Sequence, residues 1–83
     1  MTDRQLETEV QRRLSLPYHR GIFGDPVDGY TGHIAELPGC HTSGDTPGEA
    51  LENLTEAMAA WLESSLVSGD AIPDPAPALA PVA

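Results

Sequence analysis

One cysteine and two histidines that could bind a metal lie close together in the first half of the chain: His33, Cys40 and His41. Imidazole and thiolate groups are preferred ligands of zinc. Their spacing matches no zinc-binding pattern, however, and a fourth ligand is missing. Structural or solvent-facing roles explain these residues better, so we expect neither a metal nor another cofactor.

Cys40 and His41 could also act as a nucleophile and its base. Such a pair needs both side chains within hydrogen-bond reach, whereas neighbouring residues of a strand point to opposite faces of the sheet. As the only cysteine of the chain, Cys40 cannot form an internal disulfide. We predict that Cys40 is a small, buried apolar residue.

The charges are distributed unevenly along the chain. All four basic residues, Arg4, Arg12, Arg13 and Arg20, precede Gly21, and only acids follow it, for a formal net charge of −9. Because Lys and Arg provide most of the affinity for phosphate backbones, this pattern favours a basic protein partner over nucleic acid. Two alternatives stay open: the charge could simply keep the protein in solution, and the N-terminal arginines could touch nucleic acid weakly or balance acids across a subunit interface.

Residues 1–13 predict a short amphipathic helix, because Leu6 and Val10 lie four residues apart among charged neighbours. Its apolar stripe is thin, so the helix must pack on the rest of the fold or on a second subunit. A chain of 83 residues is one domain with a small core. We therefore expect a homo-oligomer, with a dimer as its form.

Three short strands are predicted after this helix. The first starts near Leu16, with Pro17 at an edge position; the second runs from about Tyr30 to Leu37, and the third from Cys40 to Thr42. The prolines and glycines between them mark tight connections. An antiparallel three-stranded meander results.

A long helix follows the third strand. Thr46 is predicted as its N-cap, Pro47 as its first residue and Glu49 as the third residue of a capping box. Gly69 is predicted as its C-cap. The residues expected to face the sheet share one apolar side of the helix: Ala50, Leu51, Leu54, Ala57, Met58, Trp61 and Leu62.

The opposite side of the long helix carries four glutamates, which we call the acidic row: Glu49, Glu52, Glu56 and Glu63. Like charges four residues apart destabilise a helix by roughly 0.2–0.5 kcal/mol each, and no Lys or Arg on the helix offsets them. The helix dipole compensates only the acids nearest the N-terminus. The acidic row is therefore a candidate surface for a basic partner, and a merely solvated face remains the alternative.

The last residues are rich in proline and alanine and cannot form a helix or a central strand. Ile72 could anchor a brief final strand or an extended segment, and residues 76–83 are expected to be disordered. The sequence has no apolar run that resembles a signal peptide or a membrane span. We expect a cytoplasmic protein that makes no contact with a membrane.

Four motifs follow one another along the chain: Gly29-Tyr30-x-Gly32-x-Ile34-x-Glu36-Leu37-Pro38-Gly39-Cys40, Gly44-Asp45-Thr46-x-x-Glu49-Ala50, Trp61-Leu62 and Gly69-x-x-Ile72-Pro73-x-Pro75. In this order they closely resemble the HicB antitoxin family, over residues 14–75. We interpret the core of the pattern as a folding motif that sets a hairpin and starts the long helix. The motif residues are Leu37, Pro38, Gly39, Cys40, Gly44, Asp45, Thr46, Glu49 and Trp61.

The resemblance implies an α+β fold of the partial ribonuclease-H-like type. Its three-stranded antiparallel sheet is packed by one long helix and completed by a short final strand, in the order β-β-β-α-β, here after an N-terminal helix. The resemblance also implies a protein that binds and silences HicA, a small basic toxin that cleaves mRNA. Many HicB proteins add a C-terminal DNA-binding domain; this sequence has none after Pro75, so direct DNA binding is not expected.

Two alternative functions stay open. Stand-alone domains that look like this one occur without an evident toxin, so the chain could be an orphan homo-oligomeric domain with another protein or a small molecule as partner. The ribonuclease-H likeness also suggests a degenerate nuclease in which Asp28, Glu36 and Asp45 hold Mg²⁺. Two-metal catalysis needs carboxylates that converge on one point, and each of these three acids has an ordinary local explanation. We therefore expect binding rather than catalysis.

Overall fold

A computed structural model describes residues 1–77 of the chain. They form two helices and one three-stranded antiparallel sheet of order β1-β2-β3, so the predicted α+β class is confirmed. The elements are α1 (Asp3–Leu14), β1 (Arg20–Asp25), β2 (Gly29–Ile34), β3 (His41–Gly44) and α2 (Pro47–Ser68). Residues 78–83 of the predicted tail lie outside the described residues.

The N-terminal helix α1 starts with a complete capping box. The Thr2 side chain accepts a hydrogen bond from the Gln5 backbone N–H at 3.2 Å, and the Gln5 side chain accepts one from the Thr2 N–H at 2.9 Å. Both exchanges satisfy backbone donors that a helix start leaves unpaired. Val10, on the inner side of α1, is buried against α2 and the core.

The first strand begins at Arg20, so the predicted start near Leu16 is wrong. The Tyr18 N–H donates to the Leu16 carbonyl at 2.8 Å, which closes a tight turn instead of continuing an extended chain. Pro17, which has no N–H to donate, lies in this turn and outside the sheet. Leu16 and Tyr18, the alternating apolar residues between α1 and β1, pack on the core from a loop.

The second strand ends at Ile34 and not at Leu37, because the chain turns there. The Leu37 N–H donates to the Ile34 carbonyl at 3.2 Å, and the Cys40 N–H donates to the Leu37 carbonyl at 3.0 Å. The third strand consequently starts at His41, one residue later than predicted, and extends to Gly44. His33 pairs with His41 in the antiparallel register.

The long helix α2 begins and ends where the sequence predicts. The Thr46 hydroxyl accepts from the Glu49 N–H at 3.1 Å, Pro47 is the first helical residue, and Gly69 adopts the left-handed conformation at the C-cap. Among the hydrogen bonds of residues 1–77, the reciprocal bond from the Thr46 N–H to the Glu49 side chain is not formed. The capping box is therefore half made.

One side of α2 covers one face of the sheet and forms the centre of the core. Ala50, Leu54, Met58 and Leu62 have no exposed surface at all. Leu51, in contrast, is 44% exposed, so its predicted place in the apolar stripe is wrong. The groove between α1 and α2 is lined on α2 by Ala59 and Glu63, two or more turns beyond Leu51.

The segment after α2 folds back on the core without forming a strand between residues 70 and 77. Ile72 is partly buried against the core, and Pro73 and Pro75 on either side of Asp74 lack the N–H groups of a sheet ladder. The Tyr18 hydroxyl instead donates to the Pro73 carbonyl at 2.6 Å. The short final strand that the resemblance implies is thus not formed by residues 70–77, and side-chain contacts hold this segment on the core instead.

Candidate protein-binding surface

The four glutamates of the acidic row are exposed on the outer side of α2. Their orientation follows from the helical period, because Ala50, Leu54, Met58 and Leu62, on the opposite side of the helix, are buried against the sheet. Glu49 lies in the first turn of α2, and Glu63 lies close to where α1 crosses. The row therefore extends along most of the length of the helix.

Within residues 1–77, the arginines form no ion pair with the acidic row, although the Arg20 guanidinium donates to the Thr55 hydroxyl of α2 at 3.3 Å, next to Glu56 in the sequence. Arg12 and Arg13 both pair with Glu9, at 2.6 and 3.0 Å, and Arg13 also approaches Asp74 at 3.9 Å. Hydrogen bonding from Arg12, reinforced by Arg13, lowers the pKa of Glu9 to about 2 against the cost of its desolvation. Across residues 1–77, no ion pair involves a glutamate of the row. Its negative charges are left without a cationic neighbour in contact.

Acids from other elements extend the row at both of its ends. At the start of α2, Asp28 and Asp45 line a polar cleft of about 370 Å³ together with Glu49. At the other end, Asp3 and Glu7 of α1 line a groove of about 300 Å³ together with Glu63. The acidic surface is accordingly larger than the row predicted from the sequence.

Asp3 and Glu7 are the members of this surface to which the sequence analysis gave no role at all, whereas Asp28 and Asp45 were considered only for other roles. Both lie on α1, four residues apart and therefore on one side of that helix. The spacing was a usable signal for a shared side. What placed them beside Glu63, however, is the packing of α1 on α2, which joins residues more than 50 positions apart.

The three acids considered for a nuclease do not converge on one point. Asp28 and Asp45 share the polar cleft, whereas Glu36 follows β2 at its opposite end. Within the described part of the chain, no three His, Cys, Asp or Glu side chains form a group that could hold a metal ion. The arrangement lacks the converging carboxylates that two-metal catalysis requires.

Glu36 instead joins the start of β1 to the end of the described chain. Its side chain, 7% exposed, accepts hydrogen bonds from the backbone N–H groups of His19 at 3.0 Å and Ala76 at 2.8 Å. The His19 ring Nδ1 lies 2.9 Å from the same carboxylate. Burial opposes the ionisation of Glu36, but these hydrogen bonds outweigh it and lower its pKa to about 2. The role of Glu36 is structural.

The residues considered for zinc or thiol chemistry are also separated. Cys40 lies in the core at 3% exposure, and burial raises the pKa of its thiol, which keeps it protonated. His41 is exposed on the sheet edge. The His33 ring lies beside the Phe23 ring, with centroids 5.8 Å apart. These side chains do not form a nucleophile–base pair or a common ligand set.

The residues of the folding motif connect the β2–β3 turn to α2. The Trp61 indole N–H donates to the Pro38 carbonyl at 2.9 Å, and Gly39 takes a positive φ of 80° at the turn. Gly44 lies so close to the start of α2 that a Cβ there would approach the Ala50 nitrogen at 2.5 Å. Leu37 is buried below this turn, and Asp45 is exposed beside it.

Comparison with known protein families shows to which family the sequence belongs. The sequence model described as "HicB_like antitoxin of bacterial toxin-antitoxin system" matches residues 18–82. The chain belongs to the HicB-like antitoxin family. Membership of this family points to a non-catalytic role. The helix α1 precedes the matched segment.

Several curated proteins are similar to this HicB-like chain. A UPF0150 protein of Thermoplasma acidophilum is 45% identical over 53 residues, which cover 63% of this chain and 77% of that protein. A UPF0150 protein of Synechocystis is 40% identical over 45 residues, covering 54% of this chain and 57% of that protein. An uncharacterized 14.9 kDa protein of Haemophilus phage HP1 is 37% identical over 46 residues, covering 55% and 35%.

No solved structure gave a significant match to the chain. The ribonuclease-H-like relation implied by the family resemblance therefore stays a prediction. Within residues 1–77, neither helix is long and apolar enough to cross a membrane.

Proposed function

We propose that this HicB-like chain is an antitoxin that binds a small basic toxin of the HicA type, which cleaves mRNA. The acidic row carries the proposal, because its glutamates form no ion pair within residues 1–77. A toxin that binds mRNA needs a basic surface to neutralise phosphates. The same basic surface is complementary to the acidic row.

The proposed mechanism is occlusion. The outer side of α2 would cover the RNA-binding surface of the toxin, so mRNA and antitoxin compete for one set of basic side chains. Attraction between the opposite charges would speed association and orient the two proteins before they touch. No chemical step is required of the antitoxin, which fits the buried thiol of Cys40 and the dispersed carboxylates.

The arrangement of charge also argues against direct DNA binding by these residues. No Lys or Arg follows Arg20 in the chain, and the arginines of α1 are largely engaged by Glu9. A DNA backbone approaching α2 would meet like charge along the whole acidic row.

The test of the antitoxin proposal uses the small basic protein encoded beside this chain's gene. Co-expression should restore growth that the basic protein alone inhibits, and titration calorimetry should detect binding that weakens as salt increases. Changing Glu56→Gln together with Glu63→Gln should weaken binding about 3- to 30-fold, since a surface ion pair contributes roughly 0.3–1 kcal/mol. The salt dependence should fall in the same variant.

A matched control removes two charges elsewhere. Asp70→Asn together with Asp74→Asn changes the net charge equally but leaves α2 intact, because both residues follow the helix and are exposed. This variant should bind almost as the wild type does. Equal weakening by both double variants, or no change by either, would show that the acidic row is not the binding surface. Absence of binding to any neighbouring gene product would favour the orphan-domain alternative.

A specific observation also favours self-association. Ile22 faces α2 across Gly32, so Phe23, the next residue of β1, points to the opposite face of the sheet. Phe23 is 58% exposed there, and Val27 in the following turn is 91% exposed. We propose that a second copy of the chain covers this face, which we call the open sheet face, to form a homodimer.

A further inference from the structure

The groove between α1 and α2 combines an apolar floor with an acidic rim. Leu6 and Val10 of α1 and Ala59 of α2 supply the apolar lining, and all three are buried or half-buried. The carboxylates of the rim are those of Asp3, Glu7 and Glu63, with the Gln11 amide beside them. None of the lining residues is a Lys or an Arg.

This combination selects the chemistry of an occupant. A purely apolar group would cover the floor but would strip water from the nearby carboxylates, and an anion would be repelled by them. A long basic side chain satisfies both parts, since its methylene stem lies on apolar surface while its charged end stays beside the acids. With about 300 Å³, the groove is at the lower end of the range of small-molecule pockets, so it suits a side chain rather than a folded segment.

We propose that this groove receives an arginine side chain of the basic partner, with the stem on Leu6, Val10 and Ala59 and the guanidinium beside Glu7 and Glu63. The identity of the partner rests on the proposed antitoxin function; the chemistry of the groove does not. Arginine fits better than lysine, because the guanidinium is more weakly hydrated than an ammonium group and can bond two carboxylates at once.

The groove has a consequence for partner choice. Its α1 half lies upstream of residues 18–82, the segment that the family model matches. The acidic row of α2 alone would attract any basic surface. The groove adds a position that favours a protruding arginine, which distinguishes among basic partners by shape as well as by charge.

The test titrates the full chain with n-butylguanidinium, which carries the guanidinium and three methylenes of an arginine side chain plus one carbon in place of Cα, and follows the methyl signals of Leu6, Val10 and Ala59 by NMR. These signals should shift saturably in the millimolar range. Guanidinium, which lacks the stem, is the matched ligand control. Burial of one methylene changes an equilibrium constant roughly fourfold, so n-butylguanidinium should bind about tenfold more tightly than guanidinium even if its chain is buried only in part.

Two double variants then locate the binding. Glu7→Gln with Glu63→Gln should weaken the binding of n-butylguanidinium at least threefold, whereas Asp70→Asn with Asp74→Asn, an equal charge change outside both the groove and the acidic row, should leave the affinity nearly unchanged. Equal effects of the two double variants, or no saturable methyl shifts, would overturn the proposal. So would methyl shifts on dilution without any ligand, because a second copy of the chain would then occupy the groove.

The same titration separates this inference from the antitoxin proposal, since no toxin is present. Saturable binding in the groove supports the inference even if no neighbouring toxin is found. A silent groove overturns it even in a chain that binds and silences a toxin.

Discussion

At the scale of single residues, Glu36 shows how one carboxylate can hold two distant segments. It accepts hydrogen bonds from the backbone N–H groups of His19, before β1, and of Ala76, close to the end of the described chain. Hydrogen bonds to a charged acceptor contribute about 1.5–3 kcal/mol, and loss of the charge weakens them. The ionised carboxylate therefore stabilises the fold more than the protonated carboxyl group does.

The pH dependence of Glu36 follows from the direction of its pKa shift. Its pKa falls from 4.5 to about 2 in the folded chain, so the unfolded chain takes up the proton first as the pH decreases. The stabilisation is present in full above about pH 5 and is lost between pH 4.5 and 2. Glu36→Gln should lower the free energy of unfolding by about 1.5–3 kcal/mol at pH 7 and flatten its decline in that acid range.

Urea unfolding at a series of pH values, followed by the fluorescence of the single tryptophan, measures both effects. Glu52→Gln is the matched control, because Glu52 is exposed and accepts no hydrogen bond from a distant segment within residues 1–77. It should change stability little at any pH. An unchanged acid slope in Glu36→Gln would show that the carboxylate does not hold the two segments; some slope should persist in any case, since the pKa of Glu9 is also lowered to about 2.

At the scale of secondary-structure elements, the contact between β3 and α2 depends on the absence of a side chain at Gly44. A Cβ at this position would approach the Ala50 nitrogen at 2.5 Å and its Cα at 2.8 Å, and backbone atoms cannot rotate away. Gly44→Ala should therefore destabilise the fold by about 1–3 kcal/mol, as overpacking does elsewhere. Gly48→Ala is the control, because a Cβ there meets nothing within 4 Å.

The two alanine variants should shift thermal unfolding in different ways. Gly44→Ala should lower the midpoint, whereas Gly48→Ala should leave it unchanged or raise it, since alanine is favoured over glycine in a helix by up to about 1 kcal/mol. Differential scanning calorimetry measures both midpoints. Equal midpoints for the two variants would contradict the close packing of β3 on α2.

The elements also show which features the sequence could predict. Thr46 and Gly69 were predicted correctly as the ends of α2, because a cap is made by residues three to five positions apart. The start of β1 was misplaced, because Tyr18 is buried in a loop and not in a strand. Its hydroxyl donates to the carbonyl of Pro73, 55 positions away. The alternation of Leu16 and Tyr18 correctly indicates that they pack on the core. It does not show whether they do so from a strand or from a loop, because both can give the same pattern.

In the candidate site, too, the features set within one helix could be predicted, and those set by packing between helices could not. The acidic row follows from the helical period within α2, so the exposure of its glutamates could be predicted. Its extension by Asp3 and Glu7 could not, because periodicity gives the inner side of α1 but not the helix that this side contacts. Local signals therefore predict the surface of one element, and non-local packing decides which surfaces join.

At the scale of the whole molecule, the two proposed interfaces lie on opposite sides. One face of the sheet is covered by α2, whose outer side bears the acidic row, and the other face is open and carries Phe23. A second copy on the open sheet face would consequently leave the acidic row accessible. Self-association and toxin binding should not compete, and each should respond to its own variants.

Self-association can be tested separately by Phe23→Thr. Threonine keeps the β-propensity of the strand but removes the exposed ring, and an aromatic residue central to an interface commonly contributes more than about 1 kcal/mol. By sedimentation equilibrium at micromolar concentration, the wild type should have the mass of a dimer, and Phe23→Thr should shift toward the monomer. Glu56→Gln with Glu63→Gln should remain dimeric, because these residues lie on the far side of α2. A monomeric wild type would refute the dimer, and loss of the dimer in the glutamate variant would place the contact on α2 instead of the open sheet face.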